Sequence, residues 1–176
     1  MIIAIITDNK KAFGLTLALF LAMGSVQKTH AMDKGEEIAR RAEQELRENS
    51  KKWAWEVAKE QRGNINPFPK NSPKCNLFVY DMLLDSGIDP PVTPDGSPAT
   101  AAMWKVGSFR EKGFKKIFSG QQRGDVVSDG THCGIAIDDG TTVAGAGEDT
   151  VNTDYPFYRG KRPTIQRYSE RDEGRF

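Results

Sequence analysis

Histidine and cysteine each occur only twice in this chain of 176 residues. His30, Cys75, His132 and Cys133 are too scattered to form a ligand set at zinc spacing, so no metal centre is expected. Excess charge is also missing. The 25 Lys and Arg stand against 24 Asp and Glu, a net charge of +1, and phosphate backbones are held by clustered basic excess, so nucleic acid is excluded as a partner. There is no internal repeat and no glycine-rich phosphate loop, and no cofactor is expected. The apolar run from Ala12 to Met23 is too short to cross a bilayer.

That run instead reads as the core of a secretory signal. Lys10 and Lys11 precede it, and Thr29-His30-Ala31 places small residues where a signal peptidase reads. An uncleaved anchor or buried helix is the alternative. Met1 to Asn9, ahead of the lysines, does not fit such a leader and points to a start site assigned upstream. The expectation is a cleaved segment over 1–31, a single domain over 32–168 and a loose charged tail over 169–176. Loss of Lys10, Lys11, Lys28 and Asp8 with the leader takes the formal charge from plus one to minus one. The mature chain is expected to be extracellular and monomeric, with no stable membrane insertion.

What is present is a thiol at the start of an apolar helix. Asn71-Ser72-Pro73-Lys74-Cys75-Asn76-Leu77-Phe78 reads as a helix N-terminus, with Ser72 as cap and Pro73 in the first position. The helix runs from Pro73 to about Ser86, where Gly87 stops it. A thiol attacks as its thiolate, and an unperturbed cysteine is only a few per cent ionised at neutral pH. The helix start favours negative charge on sulfur, and its free N–H groups can face an oxyanion. With His30 in the leader, His132 is the one imidazole left for proton transfer.

His132 lies in Gly124-Asp125-Val126-Val127-Ser128-Asp129-Gly130-Thr131-His132-Cys133-Gly134-Ile135-Ala136-Ile137-Asp138-Asp139-Gly140-Thr141-Thr142-Val143. This reads as strand, loop, strand, Asp-Asp-Gly turn and a third strand. Alternation puts His132, Gly134 and Ala136 on one face and Cys133, Ile135 and Ile137 on the other. Cys133 is therefore expected in the core, facing away from His132 and the cleft, while the small residues leave room for a helix or a substrate. A disulfide joining the two cysteines is the competing expectation for a secreted chain.

These residues resemble the papain-like NlpC/P60 and CHAP peptidoglycan hydrolases, in which a cysteine opens a helix and a Gly-Asp-Val strand precedes His-x-Gly-[Ile/Val]. Trp53-Ala54-Trp55-Glu56, Lys74-Cys75-Asn76-Leu77-Phe78-Val79-Tyr80-Asp81 and His132-Cys133-Gly134-Ile135 look more narrowly like the second family of type VI secretion amidase effectors. With a leader added, the chain resembles their secreted animal form, the domesticated amidase effectors. The resemblance runs from about Trp53 to Tyr168. It implies an α+β papain-like fold of the NlpC/P60 type, with N-terminal helices and a central cysteine helix on an antiparallel sheet. It also implies an antibacterial hydrolase acting on bacterial peptidoglycan, at the D-alanine to meso-diaminopimelate cross-link. A catalytically silent wall-binding module, or a cysteine acyltransferase or protease on the same scaffold, are the alternatives.

Relatives carry a polar group on the strand after the histidine strand, which holds the imidazole in its tautomer. In this chain that register gives Ala144. The orienter is then Glu148 or Asp149 on a loop, Asp138 from the turn, or a backbone carbonyl, and Glu148 is preferred. Elsewhere, Ile38, Ala42 and Leu46, then Trp53 and Val57, recur at helical spacing, so packing helices are expected from Asp33 to about Gly63. Trp53 and Trp55 are core or cleft residues. Gly63 to Ser72 reads as a loop and a candidate cleft wall, and Ala99 to Val106 as a short helix carrying Trp104 at the groove border or over the core. Tyr155 to Tyr158 and Thr164 to Tyr168 read as late strands.

Overall fold

The computed structural model describes residues 33–60, 62–63, 65–159 and 162–169. The expected signal segment, Lys161 and most of the C-terminal tail lie outside the described residues. The described chain is mixed α+β. Three helices, α1 (Lys34–Arg47), α2 (Cys75–Asp85) and α3 (Ala101–Val106), accompany six strands, with a short 3₁₀ turn at Arg110–Lys112. The strands are β1 (Phe114–Ile117), β2 (Val126–Ser128), β3 (Cys133–Ala136), β4 (Val143–Ala146), β5 (Val151–Asn152) and β6 (Thr164–Tyr168). They form one antiparallel sheet in the order β1-β6-β2-β3-β4-β5.

α1 forms because Asp33 caps it, its side chain accepting from the Gly35 N–H at 3.1 Å, and because Ile38, Ala39 and Ala42 give it one buried stripe. Asn49, in the left-handed region, closes it, and Ser50 N–H returns to the Glu45 carbonyl. A second helix over Trp53 to Val57 is not observed. Those residues form turns, the Trp55 N–H donates to the Glu148 carbonyl, and Lys59 bridges to Phe68. Tertiary acceptors have replaced the helical ones. Trp53 is buried against the edge of Phe78 and donates Nε1–H to Asp81 at 2.9 Å, so it belongs to the core.

α2 is the central element. Leu77, Phe78, Val79, Met82 and Leu83 are all buried, and the helix packs on β3 and β4 with α1 against it. Its start is two residues later than expected. Ser72 donates its hydroxyl to the Pro69 carbonyl, and Lys74 takes the cap position with no side-chain cap. The cause is Lys74 itself, fully buried, whose ammonium donates to the Trp55 and Ser72 carbonyls at 2.9 and 3.1 Å. That tether holds Ser72 and Lys74 out of helical geometry.

The Gly124-Asp125-Val126 motif supports the fold. Gly124 has φ +85°, and a side chain there would meet the Gly35 carbonyl oxygen at 2.1 Å, so only glycine lets the start of α1 approach the turn that leads into β2. Buried Asp125 accepts two bonds of 2.8 Å from the Arg167 guanidinium, which locks β2 to β6. Val126, Cys133, Ile135, Ala144 and Ala146 face α2, while Val127, Ala136 and Val143 face Phe157 and Tyr155. Tyr155 to Tyr158 is a turn and not a strand. No helix of the described residues is long and apolar enough to cross a membrane.

Candidate active site

Cys75 is the first residue of α2 and is 6% exposed. The first intrahelical bond runs from the Phe78 N–H to the Lys74 carbonyl at 2.9 Å, so the N–H groups of Cys75, Asn76 and Leu77 have no intrahelical acceptor. They are the donors available to a developing negative charge at the helix start.

Two neighbours act on the sulfur. Cys133, fully buried at the start of β3, offers a side-chain donor and its backbone N–H, and His132 lies within hydrogen-bonding reach. The Cys133 donor is the largest influence on Cys75. Together with the His132 bond and charge it outweighs burial and lowers the thiol to about 4. Cys133 moves the opposite way, pushed up by burial and then by the adjacent Cys75 sulfur. The two thiols are thus driven apart, Cys75 down and Cys133 up.

This placement corrects one expectation. Cys133 is core, but it does not turn away from the cleft: the face it shares with Ile135 is the face on which α2 and Cys75 pack. Both cysteines are free and buried. His132, one residue before β3, is bound to the site from the end of the strand.

The register also corrects the orienter position. Ala144 pairs with Ile135 and points into the core on the α2 side. The residue beneath the imidazole is Gly145, where an added Cβ would stand 3.0 Å from His132 Nε2. The Nε2 edge of the ring therefore lies against a glycine. Glu148 is exposed beyond the end of β4, beside Leu46, Asn49 and Asp149, and its carbonyl accepts the Trp55 N–H. Asp138 serves its own turn, accepting from Gly140 and Thr142 N–H at 3.0 Å. Among the described residues, no group of His, Cys, Asp and Glu is placed to hold a metal ion.

Three residues at the site, Tyr155, Phe157 and Asp129, carry no motif in the sequence. Tyr155 stacks on His132 with centroids 4.2 Å apart and planes 29° apart, and Phe157 lies behind both rings. Tyr155 donates its hydroxyl to Asp129 Oδ2 at 2.7 Å. Asp129 Oδ1 accepts the N–H groups of His132 and Thr131 at 2.9 and 2.8 Å and the Thr131 hydroxyl at 2.8 Å. The donors outweigh burial and hold the Asp129 carboxyl down to about 2. An Asp three residues before a histidine was the available signal.

Cys75 opens on a groove of about 480 Å³ walled by Phe68 and Pro69 on one side and by Ala101 and Thr131 on the other. Among the described residues no charged side chain lines it. The loop before α2 is thus a cleft wall, as its composition implied. Trp104, fully enclosed between Phe109 and Phe114, is core and not groove. A larger cavity of about 690 Å³ lies at the β1 edge, among Val106, Phe114 and Phe118, and among the described residues no thiol, imidazole or carboxylate lines it. No family model matches the chain, and neither a curated protein nor a solved structure matches it.

Proposed function

We propose that the chain is a secreted cysteine hydrolase of bacterial peptidoglycan, cutting an amide bond of stem peptides or their cross-links. The observation that carries the reading is the Cys75 thiol. It is held near 4 at a helix start, beside an imidazole, and opens on an uncharged groove. The choice of the D-alanine to meso-diaminopimelate bond, the antibacterial role and the papain-like fold rest on the resemblance carried by the cysteine-helix and histidine-strand motifs.

In this reading the Cys75 thiolate attacks the scissile carbonyl carbon, and the oxyanion faces the free N–H groups of the first turn of α2. The imidazolium of His132 protonates the leaving amine. It then takes a proton from the water that opens the thioester, which returns Cys75 as a thiolate. The apolar wall and the small residues Ala101 and Ala102 suit a backbone-rich ligand with short side chains.

A silent wall-binding module is the second reading, favoured by the glycine beneath His132 Nε2. Acid-quenching a reaction with a cross-linked muropeptide and weighing the intact protein separates the two. A hydrolase carries the donor peptide as a thioester on Cys75 and loses the adduct in Cys75→Ala. Binding of the muropeptide without any adduct, in wild type and Cys75→Ala alike, would replace the hydrolase with the binding module.

A further inference from the structure

We infer that Tyr155, anchored by Asp129, is the positioning residue of the His132 imidazole and serves in place of the in-plane polar partner that Gly145 cannot provide. The inference rests on the Cys75–His132 reading above and names how that site is held. A cysteine hydrolase needs its imidazole fixed in plane and in tautomer, which an in-plane acceptor ordinarily does. Gly145 lies beneath Nε2 and has no side chain to offer it. The ring is held instead by its face: Tyr155 stacks on it at 4.2 Å, and Phe157 packs against both rings.

One carboxylate organises the arrangement. Asp129 accepts the backbone N–H of His132 at 2.9 Å and the hydroxyl of Tyr155 at 2.7 Å, so the same group fixes the histidine backbone and the ring laid against its side chain. The Asp129 backbone is tied in turn by the Lys105 ammonium, which donates to its carbonyl at 2.7 Å. A stack grips the plane of the imidazole and leaves both nitrogens free at its edge. It also has a sign. The electron-rich face of an aromatic ring favours a cation over a neutral partner. An ionised carboxylate on the tyrosine hydroxyl acts in the same direction. Among the described residues, the charged and titratable groups facing the pair are Cys75, Cys133, Asp129, Tyr155 and, through the Asp129 carbonyl, Lys105. Imidazolium stabilised by the stack favours thiolate on Cys75, so the device acts on the nucleophile through the histidine.

The test is the pH dependence of Cys75 alkylation by iodoacetamide in the full chain, with the modified peptide identified by mass so that Cys133 is not counted. In Tyr155→Leu the acid-side midpoint is expected to rise by about one unit, equivalent to about 1.4 kcal/mol. Tyr155→Phe keeps the ring and loses the hydroxyl, and is expected to recover about half of that shift. Asp129→Asn is expected to shift upward as well. A residue that only fills the sheet face would lower the melting temperature and leave the midpoint in place. A folded Tyr155→Leu that titrates as wild type overturns the inference. If that variant does not fold, an unshifted midpoint in Asp129→Asn does so. Alkylation needs no substrate, so failure to cut cell wall would defeat the proposed function and leave this result readable on its own.

Discussion

Placing a single methyl group at Gly145 tests the geometry of the site. The Cβ of Gly145→Ala would lie 3.0 Å from His132 Nε2, against an ordinary contact of about 3.5 Å. The backbone conformation at Gly145 is one that L side chains adopt, so the added methyl acts through that contact and not through strain in the chain. The ring must yield by about half an ångström, and Tyr155, stacked 4.2 Å away, opposes the shift. Misplacement of a reacting group by about 1 Å costs about a hundredfold, so half of that predicts about a tenfold loss in turnover. Overpacking predicts a loss of about 1 kcal/mol in stability. The assay pairs the rate of muropeptide release with the rate of Cys75 alkylation at neutral pH, on protein whose fold is checked by thermal melting. A folded Gly145→Ala with both rates at the wild-type level would refute the placement of His132 over β4.

Three further outcomes follow from the same contacts. Cys133→Ala removes the largest influence lowering Cys75, so the alkylation midpoint moves up from about 4, and an unmoved midpoint contradicts the pairing. Lys74→Met leaves the Trp55 and Ser72 carbonyls without their ammonium, with an expected loss of about 2 kcal/mol by denaturant melts and faster amide exchange in the loop before α2. The third concerns pH. A thiol whose folded value, about 4, lies below its ordinary value of 9.0 adds stability that is full above the unfolded value and lost as pH falls through the folded one. The advantage of wild type over Cys75→Ala therefore grows from pH 4 toward pH 9 and is absent below 4, and a constant difference across that window argues against a buried thiolate.

Much of the site was legible because few residues were eligible: one thiol at the head of an apolar segment, and one imidazole in a strand-turn-strand pattern. The strand order over Val126 to Ala146 and the helix stop at Gly87 followed from alternation and turn residues. The start of α2 did not, because it is set by buried Lys74 reaching carbonyls elsewhere in the chain, a tertiary bond that outweighs the Ser-Pro cap signal. Alternation paired Cys133 with Ile135, but it carries no information about which face the helix covers. The two fall on the side where α2 packs. β1 was missed because Phe114-Lys115-Lys116-Ile117 is an edge strand with two exposed lysines at its centre, which leaves no alternation to read. The Asp129–Tyr155 pair spans 26 positions and joins a loop to a turn, so no local periodicity marks it.

The central claim, that Cys75 is the nucleophile of a wall-cutting enzyme, is tested most directly by digesting purified sacculi with the mature chain and with Cys75→Ala and resolving the released muropeptides by mass. The account predicts that cross-linked dimers give way to monomers with Cys75 present and persist with Cys75→Ala. Identical profiles for the two proteins on both diaminopimelate-type and lysine-type wall would contradict it.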